Sequence, residues 1–255
     1  MMELLTSVLG WTEQTLFIGF VVFARIGATV FLLPAFGEQS VPARVKLAMA
    51  VSFTLIVAPA VYPQIELALA QAGPLSILFP EVVVGLALGV GVRLFVLGLQ
   101  TAGAIAAQST SLSQIFGGAG VDPQPAISHI LVVSGLALAV LLDLHVRVAL
   151  MMVSSYDLLP VGQFPDRDFL TMWGVSVVAQ VFALAFTLAA PFVIGSMIYN
   201  AALGVINKAM PQLMVAFVGA PAITGASIFL LAVSAPFLLS LWIGAMNAFI
   251  SNPFG

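Results

Sequence analysis

Cysteine is absent from this chain, and charged side chains are few. With no thiol, the protein can form no disulfide, no thiolate metal site and no cysteine nucleophile. Seven basic and ten acidic residues are spread over 255 positions, so no basic stripe could follow the phosphates of a nucleic acid. Thiol chemistry is therefore excluded, and we expect no nucleic-acid partner.

The scarcity of charge leaves a chain that is too apolar for a water-soluble domain. Hydrophobic residues make up 62% of the sequence and the mean hydropathy is +1.18, so polar side chains are too few to cover a surface in water. A helix of about 20 apolar residues crosses a membrane core of about 30 Å. Stretches of that order cover residues 16–33, 45–61, 82–107, 127–142, 173–199 and 223–249. The sequence predicts an all-α, polytopic membrane helix bundle with kinked hairpin helices, forming one membrane domain over residues 1–255.

Proline and glycine divide these stretches, and such residues commonly end or kink helices. The prolines expected at or near the ends of spans are Pro34, Pro59, Pro63, Pro74 and Pro80. Those expected to kink later spans are Pro191, Pro221 and Pro236. Most connections are predicted to be short, and the long ones are expected at residues 108–126 and 144–170.

One segment departs from the apolar composition. Residues 100–125 are rich in serine, glutamine and glycine and almost uncharged. Non-helical backbone at membrane depth is tolerated only where it is buried in protein or lines a wet cavity. This segment is therefore predicted to line a conduit, and it is the leading candidate for the working part of the protein.

Arg25 lies inside the first apolar stretch, where an arginine costs about 2.5–3.5 kcal/mol on insertion scales. Two interpretations are open. The aliphatic stem can let the guanidinium reach an interface, or the side chain is buried in a structural pair or a subunit contact. Arg93 allows the same two interpretations.

Asp143, His145, Arg147 and Asp157 form the cluster that most resembles a catalytic or metal site, because a histidine beside carboxylates can bind a cation or relay protons. The spacing argues against this chemistry. Side chains two residues apart do not face each other on a helix, no second histidine is near, and no serine lies in a nucleophile elbow. We predict a polar helix end, with no enzymatic site, metal or cofactor.

Other small and polar motifs are predicted to be structural. Gly85 and Gly89 have the spacing that lets helix backbones approach, and in a chain with 22 glycines ordinary packing explains the pair. Asn207 and Lys208 precede Pro211, and a polar turn followed by proline commonly joins two spanning helices.

Four stretches carry motifs of one known family. They are residues 34–47, which include Pro42, Arg44 and Lys46 and are followed by Pro59; His145 with Ser155-Tyr-Asp-Leu-Leu-Pro160-Val-Gly162; Leu203-Gly204-Val-Ile-Asn207-Lys208-Ala-Met-Pro211-Gln212; and Arg25 in the first helix. Together they resemble the FliR family, the flagellar member of the type III secretion export apparatus, whose virulence-associated relatives are SctT and SpaR. The second and third are similar to the family's Ser/Thr-Phe-x-x-x-Pro-x-Gly and Leu-Gly-Leu-x-x-Arg-x-x-Pro-Gln patterns. Mild departures are Asp143, where the family often has glycine or asparagine, and Lys208 in place of arginine.

The resemblance implies a function in protein export. It implies assembly with FliP and FliQ, beside other export-apparatus membrane proteins, into a closed channel for unfolded flagellar proteins in the bacterial inner membrane at the flagellar basal body. It also implies that the 108–125 loop plugs this channel. The predicted plug residues are Gln108, Ser111, Ser113, Gln114, Ile115, Phe116, Gly117, Gly118, Gly120 and Val121. The residues expected to have assembly or structural roles are Arg25, Pro42, Arg44, Lys46, His145, Pro160, Asn207, Lys208, Pro211 and Gln212.

Phe116 is the predicted stopper within the plug. Small, uncharged and glycine-rich neighbours suit a movable mount, and a phenylalanine ring can bury against a constriction and exclude water and ions. The alternative is that Ile115 and Phe116 anchor the loop to neighbouring helices.

Two other functions are compatible with a polytopic membrane protein. A small-solute secondary transporter or channel would also show broken helices and intramembrane polar residues, but it should carry internal repeats and convergent coupling charges. A membrane-embedded enzyme would need a paired base and nucleophile or a multi-ligand metal site. The sequence shows neither set of features clearly.

Overall fold

The computed structural model describes residues 2–38, 41–71, 73–111, 126–210 and 215–254. Over these residues the backbone forms α-helices and no β-strand, which confirms the predicted all-α fold class. The helices are α1 (Met2–Leu32), α2 (Ala43–Gln71), α3 (Pro74–Ser111), α4 (Ala126–Leu141), α5 (Leu144–Leu158), α6 (Arg167–Ala209) and α7 (Val215–Ser251).

Five of these helices are long and apolar enough to cross a membrane. The qualifying stretches are Gln14–Leu32, Ala43–Ala70, Ser76–Ser109, Arg167–Ala209 and Pro221–Ser251. A sixth span results if α4 and α5, which follow one another across a short break, are counted as one. The predicted number of apolar segments is therefore confirmed, although most of the helices extend beyond the predicted limits.

Prolines expected near the ends of spans instead lie inside helices. Pro59 and Pro63 are internal to α2, and Pro80 is internal to α3. A proline inside a helix frees one backbone carbonyl, four residues earlier. Ending the helix would leave four carbonyls and four amides without intrahelical partners, which costs more where no water can reach them.

Both predicted long connections are shorter than expected. Residues 144–158 form α5, and α3 continues to Ser111, so Gln108 and Ser111 are helical rather than part of a loop. Serine and threonine can bond carbonyls of their own helix; Thr101 donates to the Leu97 carbonyl at 2.8 Å and Ser109 to the Ala106 carbonyl at 2.7 Å. A run of small polar residues is therefore compatible with a continuing helix.

The helices divide into two compact units. The first unit comprises Met1–Leu94, Leu142–Val177 and Met246–Gly255. In it α2 packs against α1 and α5. A Cβ on Gly85 would overlap the Arg25 carbonyl oxygen, and one on Gly89 would crowd Thr29 and Leu32. The two glycines therefore let α3 pack closely against α1 within the chain.

The second unit comprises Phe95–Leu141 and Val178–Ala245. Its core contains Trp242 of α7, whose side chain is inaccessible and whose indole Nε1 donates to the Phe95 carbonyl at 2.8 Å. Gly135 of α4 lies against Leu99 and this indole, and a Cβ there would overlap the Leu99 side chain. The close approach of α4 to α3 at Leu99 is thus part of the core of the second unit.

Candidate functional site

Arg25 of α1 forms an ion pair with Glu81 of α3 inside the first unit. The guanidinium Nε and the carboxylate Oε2 are 2.8 Å apart, and Nη2 donates to Oε1 at 3.0 Å. Neither side chain is accessible to solvent. The planar guanidinium thus meets the carboxylate in the two-bond arrangement that gives the strongest pairs.

The remaining polar atoms of the pair bind the end of α5 and the turn that follows it. Arg25 donates through Nη1 to the Ser155 hydroxyl and through Nη2 to the Leu159 carbonyl, both at 3.0 Å. Glu81 Oε1 accepts from the Gly162 amide at 3.1 Å. Gly162 has a φ of 73°, a left-handed conformation that glycine adopts without steric cost.

The Tyr156 ring covers the face of the guanidinium, with Arg25 Cζ 3.8 Å from the ring centroid. A ring in this position attracts the cation, most strongly where water is excluded. We name Arg25, Glu81, Ser155, Tyr156 and Gly162 the buried ion-pair network. The network joins α1, α3, α5 and the turn after α5. Because its two charges pair with each other, it is suited to a structural role.

Sequence reasoning missed Glu81. The signal was available, because an acidic residue that follows Pro80 directly in an apolar run needs a partner as much as Arg25 does. Their separation of 56 residues hid the pairing. The stretch from Ser155 to Gly162 resembles a motif of the FliR family. Its first residue, Ser155, bonds Arg25, and its last, Gly162, bonds Glu81.

The other residues with predicted structural roles lie mostly at the surface. Lys46 is half-buried and donates to the Gly37 carbonyl at 2.9 Å. The exposed residues are Pro42, Arg44, His145, Pro160, Asn207 and Lys208. Asn207 and Lys208 belong to the last turn of α6, so the expected polar turn begins later. Pro211 and Gln212 lie outside the described residues.

The acidic and basic side chains predicted to cluster around His145 are all exposed. Asp143 has a φ of 60° and precedes α5, while Asp157 accepts from the Gln64 side-chain amide at 3.0 Å. In the described parts of the chain, no three histidine or carboxylate groups are arranged to hold a metal ion.

Of the predicted plug, Gln108 and Ser111 belong to α3, and the other named residues, from Ser113 to Val121, lie outside the described residues. The helix ends that flank residues 112–125 are described. Ser196 of α6 donates its hydroxyl to the Ser109 carbonyl at 2.5 Å, and Asn200 donates to the Ser196 hydroxyl oxygen at 3.2 Å. These contacts fix the last turn of α3 against α6.

The start of α4 is held equally closely against α3. Ser128 donates its hydroxyl to the Gln100 carbonyl at 2.9 Å, and a Cβ on Gly103 would overlap the Ser128 backbone. Ser111 lies eight residues beyond Gly103, about 12 Å along a helix. The described chain therefore stops at Ser111 and resumes at Ala126, beside α3 and at a level earlier along that helix.

Comparison with known proteins gives one consistent result. Residues 16–249 match the model of the family described as bacterial export proteins, family 1. Flagellar biosynthetic protein FliR of Caulobacter vibrioides is 33% identical over 234 residues, which cover 91% of this chain and 93% of that protein. FliR of Escherichia coli is 26% identical over 84% of this chain and 82% of its own length, and FliR of Bacillus subtilis is 27% identical over 78% and 79%.

The family match spans nearly the whole chain and includes the helices that build both units. Several of the matched helices can cross a membrane. The chain therefore belongs to bacterial export proteins, family 1, the family of flagellar biosynthetic protein FliR, and is a membrane export protein of flagellar biosynthesis.

Proposed function

We propose that this protein is a core subunit of the flagellar type III export gate. In this proposal it forms, together with FliP and FliQ, the channel through which unfolded flagellar proteins cross the inner membrane at the basal body. The whole chain, residues 1–255, acts as one export-gate domain beside other membrane proteins of the export apparatus, and the segment that follows α3 plugs the channel.

The observation that carries the proposal is the length of the apolar surface on α6. In the second unit its exposed large apolar residues are Val178, Phe182, Phe186, Ile194, Met197, Ile198, Val205 and Ile206. From the first to the last of these a helix rises about 42 Å, and an average tilt of about 20° shortens that span only slightly. The hydrocarbon core is about 30 Å thick.

Part of this apolar surface therefore extends past the lipid. Large apolar side chains exposed to water mark a contact with another protein. The exposed residues of α6 therefore support a chain that is one subunit of an assembly, with membrane partners covering this surface. The resemblance of the sequence motifs to the FliR family supports FliP and FliQ as these partners.

Purification with an affinity tag on this chain tests the assembly. FliP and FliQ should copurify, and replacing Val205 and Ile206 together with serine should reduce their recovery while the chain still inserts. Thr187→Ser, at another exposed position of α6, serves as the control. A chain that purifies alone or only with copies of itself contradicts the assembly.

The plug is supported by the position and length of the segment after α3. Fourteen residues separate Ser111 from Ala126, and an extended chain covers about 3.3–3.6 Å per residue. At that length per residue, fourteen residues could span several times the 12 Å between the levels of Ser111 and Gly103 along α3. Its small residues and Phe116 suit a stopper in a wet pore.

Deletion of residues 113–120, or Phe116→Ala, tests the plug. Either change should leave the complex assembled but leaky, measured as ion conductance across a planar bilayer. Phe229→Ala removes an exposed phenylalanine of α7 and should not raise conductance. An assembled deletion variant that stays as tight to ions as the wild type refutes the plug.

Charge burial separates this proposal from a small-solute secondary transporter. Coupling charges of such a transporter converge on a cavity at the membrane midplane. The charged side chains that are buried in the described regions are Arg25 and Glu81, and they pair with each other. This arrangement favours a structural subunit.

A further inference from the structure

We infer that the groove between α1 and the first half of α2, which we name the lipid groove, binds one anionic phospholipid. An acyl chain lies along the apolar floor of the groove, and the phosphate lies at its mouth, beside Lys46. This site goes beyond the proposed export function and does not depend on it. The residues that form it belong to the first unit and to the described parts of the chain.

The lipid groove is a cavity of about 850 Å³, a volume typical of a ligand site. Among the described residues that line it, Lys46 is the one with a polar side chain. An acyl chain needs no hydrogen bond, so the remaining lining can hold one without leaving a polar group unpaired. That apolar lining includes Phe20, Gly27 and Phe31 of α1, Leu47 of α2 and Leu86 of α3.

The length of the groove matches one leaflet of a membrane. On α1 the lining extends from Phe20 to Phe31, and eleven residues of helix rise about 16 Å. One leaflet is half of a hydrocarbon core of about 30 Å. The apolar stretch of α1 ends at Leu32, so the groove runs from the edge of the membrane to about its midplane.

The groove is open to the surrounding lipid. Phe20, Phe31 and Leu47 have 52%, 62% and 56% of their surface exposed. A partner helix in a membrane is held by closely packed small residues and by hydrogen bonds between helices. Apart from Lys46 the lining offers no side chain for such bonds, which favours a lipid as the occupant.

Positive charge lies at the mouth of the groove. The Lys46 ammonium donates to the Gly37 carbonyl at 2.9 Å and lies 5.6 Å from the centre of the Phe31 ring. An ammonium group has three donors, so this anchored side chain keeps two for a phosphate. Glu38, the acidic residue of the connection between α1 and α2, is not among the lining residues.

The start of α2 adds to this positive charge. Val41 and Pro42 are not helical, and α2 begins at Ala43; all three residues line the groove. The first amides of a helix have no partner within it, and their partial positive charge attracts anions. Arg44, exposed in the same turn, adds a full charge. A head group with net negative charge is therefore favoured over a zwitterionic one.

The basic residues also indicate the leaflet. Arg44 and Lys46 lie at one end of α2, and no lysine or arginine occurs in residues 47–92, so the connection at the other end carries none. Cytoplasmic connections hold the excess of lysine and arginine, which assigns the mouth of the groove to the cytoplasmic leaflet. Basic pockets between helices on that side bind anionic head groups.

The absence of native cysteine allows one fluorescent label to report on the groove. Leu47→Cys carries bimane into it, and Leu67→Cys, on the same helix and 64% exposed, is the control outside it. The full chain, with the subunits that copurify, is mixed in neutral detergent micelles with phosphatidylglycerol or phosphatidylcholine that bears a quenching nitroxide on one acyl chain.

Phosphatidylglycerol should reach half-quenching at position 47 at a mole fraction about tenfold lower than at position 67. This is the factor expected from one hydrogen bond between charged groups. Phosphatidylcholine should show no such difference between the two positions.

Charge variants in the Leu47→Cys background test Lys46. Lys46→Gln should remove the preference for phosphatidylglycerol, and Lys46→Arg, which keeps the charge, should retain it. Arg167→Gln removes an exposed positive charge at the start of α6. It should change nothing, because Arg167 does not line the groove.

Filling the groove tests the site without a label. The described side chain nearest to a Cβ on Gly27 is that of Phe23, at 3.6 Å, so Gly27→Leu has room to extend into the groove. Native mass spectrometry should then find one phosphatidylglycerol fewer bound than to the wild type. Gly174→Leu, with no described side chain within 4 Å of its Cβ position and outside the groove, should bind the wild-type number. If Gly27→Leu does not fold, the charge variants decide.

The possible occupants of the groove give different results. Stronger quenching at position 47 that requires a positive charge at position 46 supports the lipid. Equal quenching at positions 47 and 67, or equal quenching by the two lipids at position 47, overturns it. A label at position 47 that neither lipid reaches in a complex with FliP and FliQ shows that a partner subunit covers the groove, which also overturns the lipid site. Recovery of FliP and FliQ from the same samples tests the assembly separately.

Discussion

The Arg25 guanidinium and the Glu81 carboxylate neutralise each other 2.8 Å apart, with neither side chain accessible. Each then bonds the backbone after α5, Arg25 at the Leu159 carbonyl and Glu81 at the Gly162 amide. The ion pair thus binds the turn after α5 and also links α1 to α3. Loss of either partner leaves one buried charge and one backbone group unsatisfied.

Arg25→Ala and Glu81→Gln should each destabilise the protein by about 3–5 kcal/mol, because breaking a buried pair leaves the other partner without compensation. The double change of both residues to methionine should cost less than either single change, since no charge is left in the apolar interior. Denaturant unfolding in detergent micelles measures the free energies, and copurification of FliP and FliQ measures assembly. We expect Arg25→Ala to insert but to recover less of both partners.

Glu66→Gln provides the matched control for the carboxylate change. Glu66 is exposed and accepts a bond from Gln14 at 3.2 Å, and surface changes of this kind usually stay within about 0.5 kcal/mol. Undiminished recovery of the partners with Arg25→Ala would remove its role in assembly. A double variant less stable than both single variants would show that the pair stabilises the fold beyond satisfying its own charges.

Gly85→Ala should destabilise the first unit, because the added methyl group overlaps the Arg25 carbonyl oxygen and crowds Ala28. Overpacking of this kind costs about 1–3 kcal/mol, and backbone atoms cannot move aside as a flexible side chain can. Thermal unfolding in micelles should show a lower midpoint.

Gly19→Ala is the control for this change, because among the described residues no side chain and no backbone outside its own helix lies within 4 Å of its Cβ position. Alanine is favoured over glycine inside a helix by about 0.5–1 kcal/mol, so Gly19→Ala should be neutral or stabilising. Equal effects of the two changes would contradict a specific close approach at Gly85.

The helices and their approximate number follow from the sequence because hydropathy and helix length are local properties. Helix ends follow less well. Pro59 and Pro63 look like terminators, yet neighbouring helices allow α2 to continue through both. The polar composition after Gln100 resembles a loop, yet hydroxyls that bond their own helix let α3 reach Ser111.

The buried ion-pair network is only half predictable. An arginine in an apolar stretch demands a partner, but nothing local says that the partner lies 56 residues away at Glu81. The hydrogen bond between Ser196 and Ser109 is still harder to predict from the sequence, since 87 residues separate the two serines and serine is common in both helices. Tertiary packing selects such pairs, and a single sequence does not record it.

His145→Gln should leave export and motility near normal. His145 is exposed, and glutamine keeps similar size and hydrogen-bonding capacity but cannot titrate between about pH 5 and 8. A motility assay and the amount of secreted flagellar protein check this. Collapse of export with a fully assembled complex would revive a proton-relay role for His145.

Tyr156→Phe should stabilise the protein. The Tyr156 hydroxyl is buried, and no hydrogen-bond partner for it exists among the described residues, so folding strips it of water without replacing the lost bond, at a cost of about 1–3 kcal/mol. Phenylalanine keeps the ring that covers the Arg25 guanidinium and removes the unsatisfied oxygen. The family motif that this stretch resembles has phenylalanine at the same position.

Tyr156→Leu tests how much the aromatic ring itself contributes to stability. It removes both, so the gain from losing the hydroxyl is offset by the loss of the cation–π contact, worth about 2 kcal/mol in a desolvated site, and by a cavity beside Arg25. Unfolding in micelles should therefore order the variants as Phe, then wild type, then Leu. If Tyr156→Phe instead lowers stability by more than about 1 kcal/mol, the hydroxyl has a partner such as a buried water, and the ion-pair network is wetter than its protein contacts indicate.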